Sequence, residues 1–392
     1  MSVAENAVQS FDQLKAYVEK HQYKGWDPYD GLTSKIFQAT PLKYSSLARL
    51  AWIQFFKRSP VNLRRLLLVK EDFNPKGLAL FLSGYTRIYQ KEKREEDKKA
   101  IEFLLTQIKK LQSTGYSGSC WGYPFDWQAR AFFQPKQTPT VVATTYVAHA
   151  LLDAFAVLQD EELVSIARSS CNFILTDLNR TAGPGGSYCF SYSPLDKTQV
   201  YNASLLASRL LARVYAHTHE PHLLEAATRS VEYCCAGQHE DGSWAYGTLP
   251  FHSWVDNFHT GFNLECLNDY KIYSEDESFN KNFEVGFDYY MRNFFTSKGE
   301  SKYYNNTLYP IDIHSPAQLI VVLKSSGRFT NHQALAERVL QWTITHMQHE
   351  EGYFYYQVKK AGSSKIPYMR WAQAWMFYAL SVYLELIEDG TH

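Results

Sequence analysis

The chain has 392 residues, 45% of them apolar and only 20% charged, which excludes a disordered protein and supplies ample material for a core. Lys plus Arg equals Asp plus Glu, 40 of each, so no overall field would gather nucleic acid or an anionic membrane. Aromatic residues reach 16%, with 28 Tyr and 9 Trp. Buried Tyr hydroxyls and Trp N–H groups need partners, so part of this surplus is expected to line a cavity.

In chain order, residues 11–21 read as an outer helix, residues 42–56 as a second, and residues 77–89 as an apolar inner helix. The mixed charge run from Lys91 to Lys99 reads as a solvated turn between helices. Beyond it, one-sided segments at 98–111, 163–178, 223–235, 279–295 and 334–347 alternate with segments apolar on most of their circumference, at 141–155, 200–215, 258–273, 317–324 and 371–386. All-round apolarity implies burial and one-sided apolarity a surface helix, so this alternation predicts an inner ring wrapped by an outer ring. The expectation is an all-α chain, an (α/α)6 toroid formed by residues 1–392 as a single domain. Residues 1–70 are expected as an N-terminal helical part packed on the ring, because no Gly-, Pro- or Ser-rich linker sets them apart.

A short aromatic phrase recurs between outer and inner segments. It reads Gly25-Trp26-Asp27-Pro28-Tyr29-Asp30, Trp121-Gly122-Tyr123-Pro124-Phe125-Asp126, Gly186-Ser187-Tyr188, Gly242-Ser243-Trp244-Ala245-Tyr246, Lys302-Tyr303-Tyr304 and Gly352-Tyr353-Phe354-Tyr355-Tyr356. From Trp121 the spacing is roughly 50–67 residues, as in arrays of supersecondary units. Its common place predicts that the phrases share one rim, where the inner helices begin. Unpaired N–H groups and a partial positive charge there favour carboxylates and hydroxylated ligands.

Three aspartates stand at inner-helix starts: Asp126, Asp256 and Asp312. Glycosidic chemistry needs paired carboxylates, so these are candidate catalytic acids and bases, with His259 and His314 as proton partners. The alternative is that each aspartate caps a helix. Trp121, Trp127, Tyr201, Trp244 and Trp254 are candidate sugar platforms, and Asn202, Tyr303 and Trp371 join them as candidate substrate-binding residues. Arg370 enters an apolar helix, so it either holds a carboxylate such as a uronic acid or pairs with one of the three aspartates. His149 reads as a core residue, and Gln238-His239-Glu240-Asp241-Gly242-Ser243-Trp244 as a structural clamp.

The six cysteines form neither a disulfide nor a metal framework. Cys234 and Cys235 with His239 suggest zinc, but adjacent cysteines on a helix point about 100° apart. No metal and no cofactor are expected. There is no apolar leader after Met1 and no run of about 18 apolar residues, so the expectation is a cytoplasmic protein without membrane insertion.

The segments Cys120-Trp121-Gly122-Tyr123-Pro124-Phe125-Asp126-Trp127-Gln128, Tyr201-Asn202-Ala203-Ser204, Gln238 to Trp244 and Asp256-Asn257-Phe258-His259-Thr260-Gly261 carry a resemblance to the six-hairpin glycosidase superfamily. Within it they resemble a poorly characterised bacterial set associated with exopolysaccharide and capsule biosynthesis. The resemblance implies an intracellular carbohydrate-active enzyme with a saccharide substrate, uronic-acid-containing sugars included, and polysaccharide-biosynthesis proteins as partners. Hydrolysis ranks first, because carboxylates outnumber His/Tyr base pairs. A sugar epimerase, a lyase and a non-catalytic glycan-binding partner are the alternatives. The clamp phrase also resembles that of toroidal terpene cyclases, a weaker reading because the DxDD and DDxxD acid motifs are absent.

Overall fold

The computed structural model describes residues 2–130 and 132–389. Helix α1 (Val3–Lys20) is followed by a short α2 (Lys35–Gln38) and by α3 (Ser46–Arg58). Then come α4 (Pro75–Glu92) and α5 (Glu95–Lys110), α6 (Val141–Leu158) and α7 (Glu161–Asp177), and α8 (Tyr201–Thr218) and α9 (Pro221–Ala236). The series ends with α10 (Asn257–Ser274) and α11 (Asn280–Asn293), α12 (His314–Ser325) and α13 (Phe329–Met347), and α14 (Ala374–Asp389). Three antiparallel pairs of very short strands decorate the turns: β1 (Trp127–Gln128) with β2 (Phe133–Gln134), β3 (Arg180–Ala182) with β4 (Tyr188–Phe190), and β5 (Ile311–Asp312) with β6 (Gln357–Val358).

The even-numbered helices from α4 to α14 pack each on the next, and α14 returns to α4, closing an inner ring. Helices α5, α7, α9, α11 and α13 each pack outside their inner partner, and α1 packs on both α14 and α13. The architecture is therefore the (α/α)6 toroid. The segment expected at 11–21 begins at Val3 and is the sixth outer helix. The segment expected at 42–56 is different. As α3 it stays out of the ring and lies across the mouth, where Leu50, Ile53 and Lys57 face the central cavity. Helix α6 is long and apolar enough to cross a membrane, with mean hydropathy 1.7, contrary to the expectation of no such run. Most of it, 72%, is buried as a wall of the ring.

Local chemistry sets both ends of the hairpins. Asn74 accepts hydrogen bonds from the Lys76 and Gly77 amides ahead of Pro75, and Thr140 accepts from the Ala143 amide, so α4 and α6 start capped. At the other end, Lys93, Gln159, His219 and Glu275 are left-handed, and each amide returns to the carbonyl four residues back. That single residue turns an inner helix into its outer partner.

The turns from outer to inner helices carry the aromatic phrases. Gly242 and Gly352 both have φ +93°, and a Cβ would lie 2.2 Å from the Val285 carbonyl oxygen of α11 or 2.4 Å from that of Gln13 in α1. Each turn thus rests on the backbone of the next outer helix, and the Gly352 contact joins the last turn to the first helix. Trp121 and Trp244 are buried here, not on the rim as expected. Their indole N–H groups donate to the Ile108 and Cys234 carbonyls, closing the last turns of α5 and α9. Gln238 completes the clamp with bonds to the Gly242 and Asn282 carbonyls.

Candidate active site

A funnel of about 430 Å³ opens where the inner helices begin. Its aromatic wall includes Tyr29, Trp127, Tyr192, Tyr246, Trp254 and Trp371. Tyr246 stacks on Trp254 with centroids 4.7 Å apart and planes 14° apart, which makes a broad flat platform. Of the residues singled out from the sequence, Trp127, Asn202, Trp254, Tyr303, Arg370, Trp371, His259 and His314 line this funnel. Trp121, Tyr201, Trp244, Asp126, Asp256 and Asp312 do not. Tyr201 instead packs its ring against Gly237 in the wall.

The phrase Trp254-Val255-Asp256-Asn257-Phe258-His259 folds into one device. Asp256 caps α10 by accepting from the His259 amide at 3.0 Å through Oδ1. Its Oδ2 accepts from Trp254 Nε1 at 3.0 Å and pairs with His259 Nδ1 at 2.7 Å. The carboxylate is 2% exposed, so it serves its neighbours rather than the cavity. By holding the proton on Nδ1 it leaves the His259 Nε2 lone pair to the funnel. The expectation that Asp256 is the acid meeting the substrate gives way to a positioning role.

Asp312 stands at the start of the next inner helix without holding its histidine ring. It accepts from the His314 amide at 3.0 Å and Trp371 Nε1 at 2.9 Å through Oδ1, and from Gln357 Nε2 at 2.6 Å through Oδ2. Burial pushes its carboxyl up to about 6, against the pull of these donors. His314 Nδ1 is buried without a hydrogen-bond partner, 3.9 Å from Asp312 Oδ1. Burial, with Lys76, Arg370 and His259 nearby, lowers the His314 pKa well below the ordinary range, so the ring is neutral. Trp371 and Trp375 enclose it at 4.4 and 4.7 Å between centroids. Asp126 lies elsewhere. It accepts from the Lys136 amide at 2.8 Å and borders a separate cavity of about 480 Å³ beneath the first aromatic phrase. The three carboxylates are therefore not brought together in the funnel.

Arg370 is paired, though not with any of those three. Its guanidinium grips Asp27 through Nε to Oδ2 at 2.5 Å and Nη2 to Oδ1 at 2.8 Å, while one side still borders the funnel. Sequence reasoning missed Lys76, the second residue of α4 and 4% exposed. Its Nζ sits 4.1 Å from the Tyr146 ring centroid and 5.2 Å from those of Phe262 and Trp375. Burial, with Arg370 nearby, drives its pKa well below the usual lysine range. The signal was present, because a charge entering an apolar inner helix is the pattern that marked Arg370. Lys57 and Arg130 also border the funnel, and no Asp or Glu does among the described residues. No group of His, Cys, Asp and Glu suited to hold a metal ion occurs among the described residues.

No protein-family model and no curated protein matches the sequence. Among solved structures, the chain is similar to cellobiose 2-epimerase from Bacillus thermoamylovorans, with 12% identity, a TM-score of 0.64 and coverage of 80% of this chain and 88% of that one. A polysaccharide lyase aligns over 99% of both chains at 10% identity and a TM-score of 0.62. A GH76 α-mannanase of Bacteroides thetaiotaomicron aligns over 81% of this chain and 88% of its own, at 14% identity and a TM-score of 0.61. At these identities the likeness shows the fold alone, the (α/α)6 toroid.

Proposed function

We propose that the protein is a carbohydrate-active enzyme whose funnel takes an anionic saccharide, and that His259 and His314 move a C–H proton of that sugar next to a carbonyl, as in an epimerase or isomerase. The observation that carries this reading is a set of three imidazoles, His252, His259 and His314, lining a cavity that none of the candidate carboxylates lines, with His259 and His314 at the starts of inner helices. Hydrolysis by paired carboxylates requires both at the scissile bond, and Asp256 is taken up by Trp254 and His259 while Asp312 is taken up by Trp371, Gln357 and the His314 amide. In the proposed step one imidazole takes the C–H proton and becomes an imidazolium while the C–H electrons pass into the carbonyl. That imidazolium, its proton open to exchange with water, returns a proton to the other face of the enediolate carbon, and the second, neutral imidazole holds the enediolate oxygen through its N–H.

The lining supports the charge of the substrate. Arg370, Lys57, Lys76 and Arg130 face no opposing carboxylate in the cavity. They would hold a carboxylate or phosphate on the sugar and stabilise the enediolate oxygen. Lys76, whose pKa burial holds well below the usual lysine range, would be drawn back towards its charged form as an anion enters beside it. The stacked Tyr246 and Trp254 offer a face to the C–H side of a pyranose.

A second reading, elimination from a uronic acid, uses the same abstraction next to a carboxylate, and the cationic lining favours it. Incubation in D2O with a panel of reducing sugars and uronic-acid oligosaccharides separates the two. Deuterium at the carbon beside the carbonyl indicates epimerisation, and the ultraviolet absorption of an unsaturated uronate indicates elimination. New reducing ends without exchange or unsaturation would return the protein to the hydrolases.

A further inference from the structure

The overall charge balance conceals a segregation. Between residues 31 and 70 there are eight Lys and Arg and no Asp or Glu, in a chain whose 40 basic and 40 acidic residues cancel. Apolar exposure is concentrated in the same place. Of fourteen exposed large hydrophobic side chains among the described residues, eight lie between Ile36 and Leu68. Tyr44 and Leu47 are each 78% exposed, Leu66 73%, Val61 61%, Leu68 52% and Leu42 50%.

These residues belong to one body. The Lys35 amide donates to the Leu68 carbonyl and Ser34 Oγ to the Leu67 carbonyl. Lys43 Nζ donates to the Gln38 carbonyl at 2.9 Å, and Arg49 Nη1 to the Lys43 carbonyl at 2.8 Å. Two of the eight cations are spent inside: Arg64 is buried on Asp30, and Lys57 points to the Tyr29 hydroxyl in the funnel mouth. Lys35, Arg58, Arg65 and Lys70 remain exposed. Arg65 has Glu71 4.0 Å away. Lys359 extends the basic face by reaching the Arg58 carbonyl.

We propose that the cap formed by residues 35–70 is a docking face for an anionic lipid bilayer. Aliphatic side chains standing out among Lys and Arg match the two layers such a surface offers, acyl chains below and phosphate headgroups above. A protein interface fits less well, because its core excludes lysine and other charges. Helix α3 has one side on this face and the other on the funnel, so docking sets the funnel mouth at the lipid surface.

Co-sedimentation of the full chain with phosphatidylcholine vesicles, with and without phosphatidylglycerol, tests this. Binding is expected to the anionic vesicles, to weaken with salt, and to fall by about tenfold or more in Leu47→Ser/Leu66→Ser and in Arg58→Glu/Arg65→Glu. These side chains are exposed, so thermal melts should be unchanged and confirm that the variants fold. Absence of binding to anionic vesicles, or binding that both variants retain, overturns the proposal. Self-association lost in Leu47→Ser/Leu66→Ser, without vesicle binding, also overturns it and makes the face a contact between copies.

Discussion

Arg370 and Asp27 form a bidentate pair, both about 5% exposed as side chains, that ties the entry of α14 to the first aromatic phrase. Arg370 thereby seals the ring at its seam and holds one side of its guanidinium to the funnel. Asp27→Ala would leave a buried cation without a partner. The expected loss is about 3–5 kcal/mol in denaturant unfolding, of which Asp27→Leu/Arg370→Met should recover a large part. An unchanged unfolding midpoint in the single variant would show that the pair does not hold the seam.

His259 and Asp256 divide their roles, and substitutions should separate them. His259→Ala is expected to cost about a hundredfold or more in kcat on an identified sugar, with the melt preserved. Asp256→Asn can still cap α10 through its amide oxygen, but it no longer holds the Nδ1 proton. The outcome expected is a smaller fall in kcat, a changed pH profile and a KM close to wild type. If Asp256→Asn raised KM alone, its place behind His259 would have to be reconsidered.

Asp312 makes a pH-dependent contact. Its carboxyl, pushed from 3.8 up to about 6 by burial, binds a proton more readily folded than unfolded. Its contribution to stability is therefore full below pH 3.8 and lost as pH rises through about 6. Protonation introduces a hydroxyl among three donors, so Trp371 Nε1, Gln357 or the His314 amide must yield. Trp371 fluorescence should titrate with a midpoint near pH 6, and the transition should vanish in Asp312→Asn. A flat profile in the wild type would count against the shift.

Trp244 offers a control away from the chemistry. Trp244→Phe keeps the aromatic packing but removes one of two donors to the Cys234 carbonyl at the end of α9, the Gly237 amide remaining at 3.2 Å. A stability loss of about 1 kcal/mol is expected, with turnover intact below the melt. A Trp244→Phe protein that melted normally but lost sugar binding would restore the platform role first expected of this residue.

The ring was legible because inner and outer helices carry different apolar patterns, and burial writes those patterns directly. The aromatic phrases were legible as a repeat but ambiguous in direction. Trp244 and Trp254 belong to neighbouring turns, yet one indole closes a helix end and the other faces the funnel. Nothing in spacing distinguishes a donor needed by a carbonyl from a face offered to a ligand. The aspartates misled for a related reason. A carboxylate beside a histidine at a helix start serves either the substrate or the histidine, and only the direction of the side chain decides. Arg370 showed that a charge entering an apolar helix has a partner, but that partner lay 343 residues away in sequence, beyond the reach of local pattern.

The glycine turns at Gly242 and Gly352 first meet the main-chain carbonyls of Val285 and Gln13, with the Gln13 Cβ farther off at 3.1 Å. A carbonyl is the same whatever residue bears it. The docking rule therefore constrains the turn, and the receiving helix answers it only locally, as at Gly286, where a Cβ would lie 2.7 Å from the Trp244 ring. A barrel assembled this way seats its hairpins through main-chain atoms, which stay in place when the residue that bears them is replaced.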